Sequence, residues 1–334
     1  MYHPRLYGDF YNMGFKYGSL LFKSANFQLP EMDVKTKEFG VNCIPELGTY
    51  YPEVLEEING FADGIEENPN NVAAFLLSLV ASGFNGQCSV FAFKNDDAVI
   101  VGRNYDMPLA FKKFTESSLI APSDKWAYIG QSDVFIGRSD GINEKGLFTA
   151  MSFVNGKTVR PGVSFHFIIR KVLENASSTE EAIELIKQAK VSSSNNFIVA
   201  DAHGHIAVVE SAPEQSRIIN LTNGHRYLHI TNQFMNKDMQ AIDQGNLDWS
   251  KSMERYQGIN QQLRTESNVN VKKAKEILSD ACICLDLKKE KFGTIWSLVA
   301  NLKTLEIERA ESKPKVNNFK EEARLDWWLK KRNK

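Results

Sequence analysis

From position 88 the texture of the chain changes, and that change limits its architecture more than any other feature. The first 85 residues read mainly as helix. After Cys88 come short β-branched and aromatic runs separated by turn residues: SVFAF, AVIVGR, NNFIVA, HIAVVES, HRYLHIT and, late in the chain, GTIWSLVANLKTLEIE. Runs of this length bounded by polar turns are strands. Helices stand on both sides of them and between them. In the helical block, FYNMGFKYGSLLFK has apolar residues at helical spacing, and PEVLEEINGFADGIEE opens on Pro52. NNVAAFLLSLVASGF is apolar nearly all round, which predicts burial. SFHFIIRKVLENA is amphipathic, and SSTEEAIELIKQAK opens with a capping box at Ser178 and Glu181. LDWSKSMERYQGINQQL, VKKAKEILSDA and EEARLDWWLKK complete the helices. Strands concentrated within one chain and flanked by helices predict sheets packed against helices in a single α+β unit.

Composition excludes several functions. The chain has 334 residues, 43% apolar and 24% charged, with formal net charge −1. No basic stripe interleaved with aromatics points to nucleic acid. No apolar run reaches the roughly 20 residues of a membrane span. The start lacks the pattern of a signal peptide, so the expectation is a cytoplasmic protein. Four cysteines, Cys43, Cys88, Cys282 and Cys284, are too few for a disulfide scaffold. Cys282 and Cys284 have no second pair at zinc-site spacing and read as packing residues of a helix. His203 and His205 flank Gly204 in a hairpin turn, with no cluster to complete a metal site. No cofactor is expected.

Cys88 opens a hairpin whose strands SVFAF and AVIVG are joined by Lys94–Asn95–Asp96–Asp97. Folding it between Asn95 and Asp96 sets Cys88 opposite Arg103, with Asp106 near whatever precedes Cys88. A slip of one residue would turn the side chains to the other face. In this register Arg103 places positive charge beside the thiol and favours the thiolate. No histidine lies nearby to act as base. The α-amino group of Cys88 could serve if the chain were cut after Gln87, since its reference pKa of about 7.7–8.0 is close to neutral. The bland readings are a buried core thiol at Cys88 and a strand-end ion pair between Arg103 and Asp106.

Here the residues resemble the N-terminal nucleophile (Ntn) hydrolases of the choloylglycine hydrolase type. The closer likeness is to the branch of acyl-coenzyme A:6-aminopenicillanic acid acyltransferase. The likeness rests on Cys88 followed by Gly102–Arg103–Asn104–Tyr105–Asp106, on Gly141–Ile142–Asn143–Glu144–Lys145–Gly146–Leu147, and on NFIVADAHGHIAVVES. It continues through Ile230–Thr231–Asn232, Ser252–Met253–Glu254–Arg255–Tyr256 and Gly293–Thr294–Ile295–Trp296–Ser297. Met13–Gly14–Phe15–Lys16–Tyr17–Gly18 and EEINGFADG resemble the pro-segment of this branch. The resemblance implies a four-layer αββα sandwich, with residues 1–87 a helical pro-segment or light chain and 88–334 the catalytic chain. It implies self-cleavage of a zymogen between Gln87 and Cys88, the two chains staying associated. It also implies acyl transfer from a linear non-peptide amide or a thioester, through a thioester on Cys88. Arg103 would support the thiolate, Asp106 orient the amine, Asn232 donate to the oxyanion, and Arg255 hold that network or the substrate. The bland readings here are a turn residue at Asn232 and a solvated helix charge at Arg255.

Two departures stand out. Gln87 occupies the cut site where many relatives have Gly. Ser152 stands where bile-salt hydrolases place Asn, which argues against bile salts. Ser152 and Tyr105 are the substrate-pocket candidates, though Tyr105 could simply pack. The partner expected is a small amide or thioester, not a nucleic acid or a membrane, and homo-oligomerisation stays open. The competing class is an uncleaved, non-catalytic binding protein on the same scaffold.

Overall fold

The structure is a computed structural model, and it describes residues 1–25, 27–82, 86–222, 224–245, 247–266 and 268–332. A short strand β1 (Arg5–Gly8) precedes four helices: α1 (Phe10–Ala25), α2 (Val34–Tyr50), α3 (Glu53–Gly64) and α4 (Pro69–Ser78). Gly83 and Phe84, the end of the apolar run expected to be buried, lie outside the described residues. Helices α1 and α3 touch backbone to backbone. A Cβ on Gly14 or Gly18 would sit 2.0 or 2.4 Å from the carbonyl oxygens of Glu57 or Phe61, and one on Gly60 would meet that of Tyr11 at 2.0 Å. The glycines of MGFKYG and GFADG therefore set this approach.

Strands β2 (Gln87–Lys94), β3 (Val99–Pro108), β4 (Glu116–Pro122), β5 (Tyr128–Ser132), β6 (Asp140–Asn143) and β7 (Phe148–Phe153) follow. Helices α5 (Phe165–Asn175) and α6 (Thr179–Gln188) then lead into β8 (Asn195–Ala200), β9 (Ile206–Ser211), β10 (Ser216–Asn220) and β11 (Tyr227–Ile230). The turn between β8 and β9 is the hairpin carrying His203 and His205, and Asp201 accepts from the backbone nitrogens of both histidines. A single turn α7 (Lys237–Gln240), helices α8 (Ser252–Thr265) and α9 (Val271–Ser279), strands β12 (Asp286–Leu287), β13 (Phe292–Asn301), β14 (Glu306–Ala310) and β15 (Lys320–Glu321), and helix α10 (Arg324–Arg332) complete the order.

The strands form two sheets. One is 8-stranded in the order β1-β4-β5-β6-β7-β8-β9-β10; the other is 7-stranded, β11-β2-β3-β13-β14-β15 with β12 on β13. One apolar core lies between the 8-stranded sheet and the helices α1–α6, built from residues such as Phe61, Leu77, Tyr128 and Ile169. A second fills the space between the sheets with Val90, Leu119, Phe148, Ile198 and Leu298. A third packs Phe91, Phe93 and Val299 under Ile259 and Ile277 of α8 and α9. The molecule is therefore a four-layer αββα sandwich. No helix among the described residues is long and apolar enough to cross a membrane.

Cys282 and Cys284 are not helical. Helix α9 stops at Ser279, and the Asp280 carbonyl accepts from the nitrogens of both Ile283 and Cys284, winding 280–284 into a turn. Cys282 is exposed there and Cys284 buried.

Candidate active site

The hairpin of β2 and β3 builds the site, in a register two residues from the expected one. Cys88 pairs with Tyr105, Gln87 with Asp106, and Val90 with Arg103. The cause is the turn. Asn95 closes it, accepting on its side-chain oxygen from the nitrogens of Asp97 and Ala98, so the loop is 95–98 and Lys94 already belongs to the ladder. A slip of two preserves the face of every side chain. Arg103 still points with Cys88 into the space between the sheets, now as a diagonal neighbour. Its Nη2 donates to Cys88 Sγ at 3.4 Å. Gly102 is required because its ladder partner Phe91 lays its ring across it: a Cβ would lie 2.4 Å from that ring.

Arg103 and Asp106 do not pair with each other. Both are fully buried, and they face opposite sides of the sheet. Arg103 reaches across to the 8-stranded sheet, donates to the Ser139 carbonyl and lies 3.1 Å from Asp140. Tyr105 lies beneath the Arg103 guanidinium, stacks on Trp296 at 3.9 Å, and donates its hydroxyl to Asp133. Trp296 in turn donates to Asp140 at 3.1 Å. A bulge at Ile295 makes this stack: Thr294 pairs with Asp106, but Trp296 pairs with Tyr105. The bulge leaves Thr294 on the far face, where its hydroxyl donates to Asp106 Oδ1 at 2.5 Å.

On that far face, below Cys88, sits Arg255 of α8. It is fully buried, which removes the reading as a solvated charge. All five of its N–H groups find acceptors. Nε donates to Ser250 O at 2.9 Å; Nη1 to Cys88 O and to Ser89 Oγ; Nη2 to Gln87 Oε1 and to Asn232 Oδ1, each at 3.0 Å. Asn232 follows the end of β11, beside Cys88. Its Oδ1 accepts from Cys88 N at 2.9 Å, while its Nδ2 donates to Phe153 O at 2.9 Å and to Gly86 O at 3.2 Å. Ser252 Oγ accepts from the Asn232 nitrogen and so ties that residue to α8. Ser152 is buried, its hydroxyl spent on the Thr231 carbonyl and receiving Asn196 Nδ2. It braces the 231–232 turn from behind.

Burial dominates the electrostatics. The Cys88 thiol is 1% exposed and is pushed up to about 11, against the pull of Arg103. Arg103 pulls the thiol toward the thiolate as expected, but the loss of hydration outweighs the guanidinium. Burial likewise lifts Asp106 to about 6, partly offset by Arg255 and by the Thr294 hydroxyl. Its Oδ2 has no hydrogen-bond partner among the described residues and stands 4.0 Å from Arg255 Nη1.

The residues singled out in the sequence thus converge within one buried cluster, Ser152 at its back. Asp140, Thr294, Ser252 and the side chain of Gln87 belong to it as well. Thr294 and Ser252 lay inside recognised motifs without a role; nothing in the sequence marked Asp140.

A family model for acyl-coenzyme A:6-aminopenicillanic acid acyl-transferase matches residues 93–315. The chain belongs to this family. The match contains Arg103, Asp106, Asn232 and Arg255 and begins just past Cys88. Among solved structures, an arginine-to-leucine variant of conjugated bile acid hydrolase from Clostridium perfringens is similar at TM-score 0.52 and 16% identity, over 70% of this chain and 92% of that one. A cysteine-to-alanine mutant of that hydrolase gives TM-score 0.52 and 15% identity over the same shares. Penicillin V acylase from Agrobacterium tumefaciens gives 0.41 and 13%, over 67% and 83%. No curated protein matches in sequence. The bile acid hydrolase shares the fold, that of the Ntn hydrolases, and the family is an acyltransferase family.

Proposed function

We propose that the chain is a self-processing cysteine hydrolase or acyltransferase that acts on a linear non-peptide amide, or an acyl thioester, through a thioester on Cys88. The observation that carries this is the clamp on the chain either side of the Gln87–Cys88 bond. Arg255 and Asn232 between them hold Gly86 O, the Gln87 side chain, Cys88 N and Cys88 O, while the Cys88 thiol stands on the other face of the strand against Arg103. A packing cysteine needs no such apparatus.

In maturation the Cys88 sulfur attacks the carbonyl carbon of Gln87. The C–N bond breaks, its nitrogen takes the thiol proton and becomes the amine of Cys88, and Gln87 is left as a thioester. Water cleaves that ester, releasing a Gln87 carboxylate and a free thiol. The new amine changes the site. As an ammonium it adds positive charge beside the thiol and lowers its pKa; as a free amine it is the missing base. Asp106, the ladder partner of Gln87, holds it. In turnover the amine takes the thiol proton, sulfur attacks the substrate carbonyl, and Asn232 Nδ2, freed of Gly86 O, donates to the oxyanion. The proton returns to the leaving amine. Water or a second amine then captures the acyl group. Residues 1–87 and 88–334 are the two chains of the mature protein.

The test is a screen of fluorogenic amides differing in acyl chain, run on wild type and on Cys88→Ala. Hydrolysis by wild type alone supports the reading; equal turnover by Cys88→Ala removes Cys88 from the chemistry.

A further inference from the structure

The side chain of Gln87, the residue before the proposed cut, is not idle. It is 2% exposed and faces α8, where Oε1 takes the fifth N–H of Arg255. The four other donors of that guanidinium stay occupied after cleavage, because Ser250, Cys88, Ser89 and Asn232 all lie on the 88–334 side. The Nη2 hydrogen facing Gln87 alone loses its partner when residues 1–87 retract. A buried donor left without an acceptor is costly, and one on a charged group more so.

We infer that Arg255 reads a hydrogen-bond acceptor on the acyl side of the bond being broken: the Gln87 carboxamide during maturation, and an equivalent acceptor on the substrate's acyl group afterwards. This rests on the self-processing reading above. In Gln87 the acceptor carbon lies four bonds from the scissile carbonyl carbon, along Cα, Cβ, Cγ and Cδ. The substrate class is therefore an amide whose acyl chain carries a carbonyl-type acceptor at that distance, rather than a plain hydrocarbon chain. Gly86 marks the way in. It is only partly buried, and a Cβ there would lie 2.9 Å from Met107 Sδ and 3.9 Å from the Tyr105 hydroxyl, so Met107 and Tyr105 line the space it vacates.

Two measurements test this. In the first, full-length wild type, Gln87→Met and Gln87→Glu are followed by intact mass during refolding. Methionine keeps the volume and removes the acceptor; glutamate keeps an acceptor. The expected result is about ten- to a hundredfold slower cleavage for Gln87→Met, the worth of one buried hydrogen bond to a charged donor. Gln87→Glu should recover most of the rate. Equal rates for Gln87→Met and wild type overturn the inference. In the second, mature wild type is given 4-carbamoylbutanoyl- and hexanoyl-p-nitroanilide, acyl groups of similar length. A kcat/KM at least about tenfold higher for the carbamoyl compound supports it; equal values, or preference for hexanoyl, overturn it. A wild-type chain that never cleaves sinks the parent reading instead.

Discussion

Residues 1–87 are tied to the rest of the chain by a buried ion pair, and removing it should cost a calculable amount. Glu57 on α3 receives Arg170 Nη2, and both side chains are fully buried. Arg170 also donates through Nε to Glu174 at 2.8 Å and through Nη1 to the Ile136 carbonyl at 3.0 Å. Tyr51 and Tyr128 donate to the same Glu174. Glu57→Ala leaves the guanidinium buried with a single carboxylate that two tyrosines already share. Breaking a buried pair from one side costs about 3–5 kcal/mol. Unfolding entropy of about 2.1 cal/mol/K per residue gives about 0.7 kcal/mol/K for this chain, so the melting temperature should fall by about 4–7 °C. The assay is calorimetry in a Cys88→Ala background, where no cleavage intervenes. Glu57→Leu combined with Arg170→Met and Glu174→Gln should lose less than Glu57→Ala, because replacing all three charges leaves none of them unpaired. A shift under about 1 °C for Glu57→Ala, or a triple variant worse than the single, would refute the reasoning.

Further outcomes follow from the site. Asn232→Ala, assayed on chains that have been processed, should lose about 10²–10³ in kcat, the usual effect of removing one oxyanion donor; near wild-type turnover would reject that role. Arg103→Met should raise the pH at which iodoacetamide alkylates Cys88 at half its maximum rate, and Asp140→Asn should not; an unchanged profile in Arg103→Met makes Arg103 structural. Thr294→Val removes the hydroxyl that holds the Asp106 carboxyl down, so the acid limb of activity should move to higher pH, while Thr294→Ser keeps the wild-type limb. His229 is buried against Tyr256 and held down at about 4, chiefly by burial. The folded protein keeps it neutral while the unfolded chain takes a proton below about 6.5. Stability should therefore fall by about 3 kcal/mol as pH drops from 6.5 to 4, and His229→Phe should flatten that slope in urea titrations.

How legible was this in the sequence? Setting Cys88 opposite Arg103 put the two on one face of the hairpin, and that survives the observed slip because an even slip of register keeps every side chain on its face. The register itself depended on one Asx turn at Asn95, which hydrophobic pattern does not encode. Strands β4 to β7 went unread. ESSLIAP, YIGQS and DGIN are buried on both faces and carry polar residues that bond across the sandwich, so they show neither alternation nor an apolar run. Strand β1, four residues pairing parallel with a strand more than a hundred positions away, had no local signal at all. At the site, the order of weak motifs located Arg103, Asp106, Asn232 and Arg255. Their partners escaped because partnership is made in space: Asp140 meets Arg103 from the opposite sheet, and Thr294 meets Asp106 only because of the bulge at Ile295. The pull of Arg103 on the Cys88 thiol was foreseen, and the burial that outweighs it was not, for a related reason. A charge neighbour can be guessed from sequence, whereas complete burial depends on every layer around it.

The central claim is that Cys88 becomes an N-terminus by its own chemistry, and the intact mass of freshly purified protein tests it most directly. The account predicts two masses for wild type, one for residues 88–334 and one for residues 1–87 or a trimmed form of it, eluting together in native chromatography. Cys88→Ala should give a single full-length mass and no amide hydrolysis. An active wild-type preparation containing only the 334-residue chain would contradict the claim.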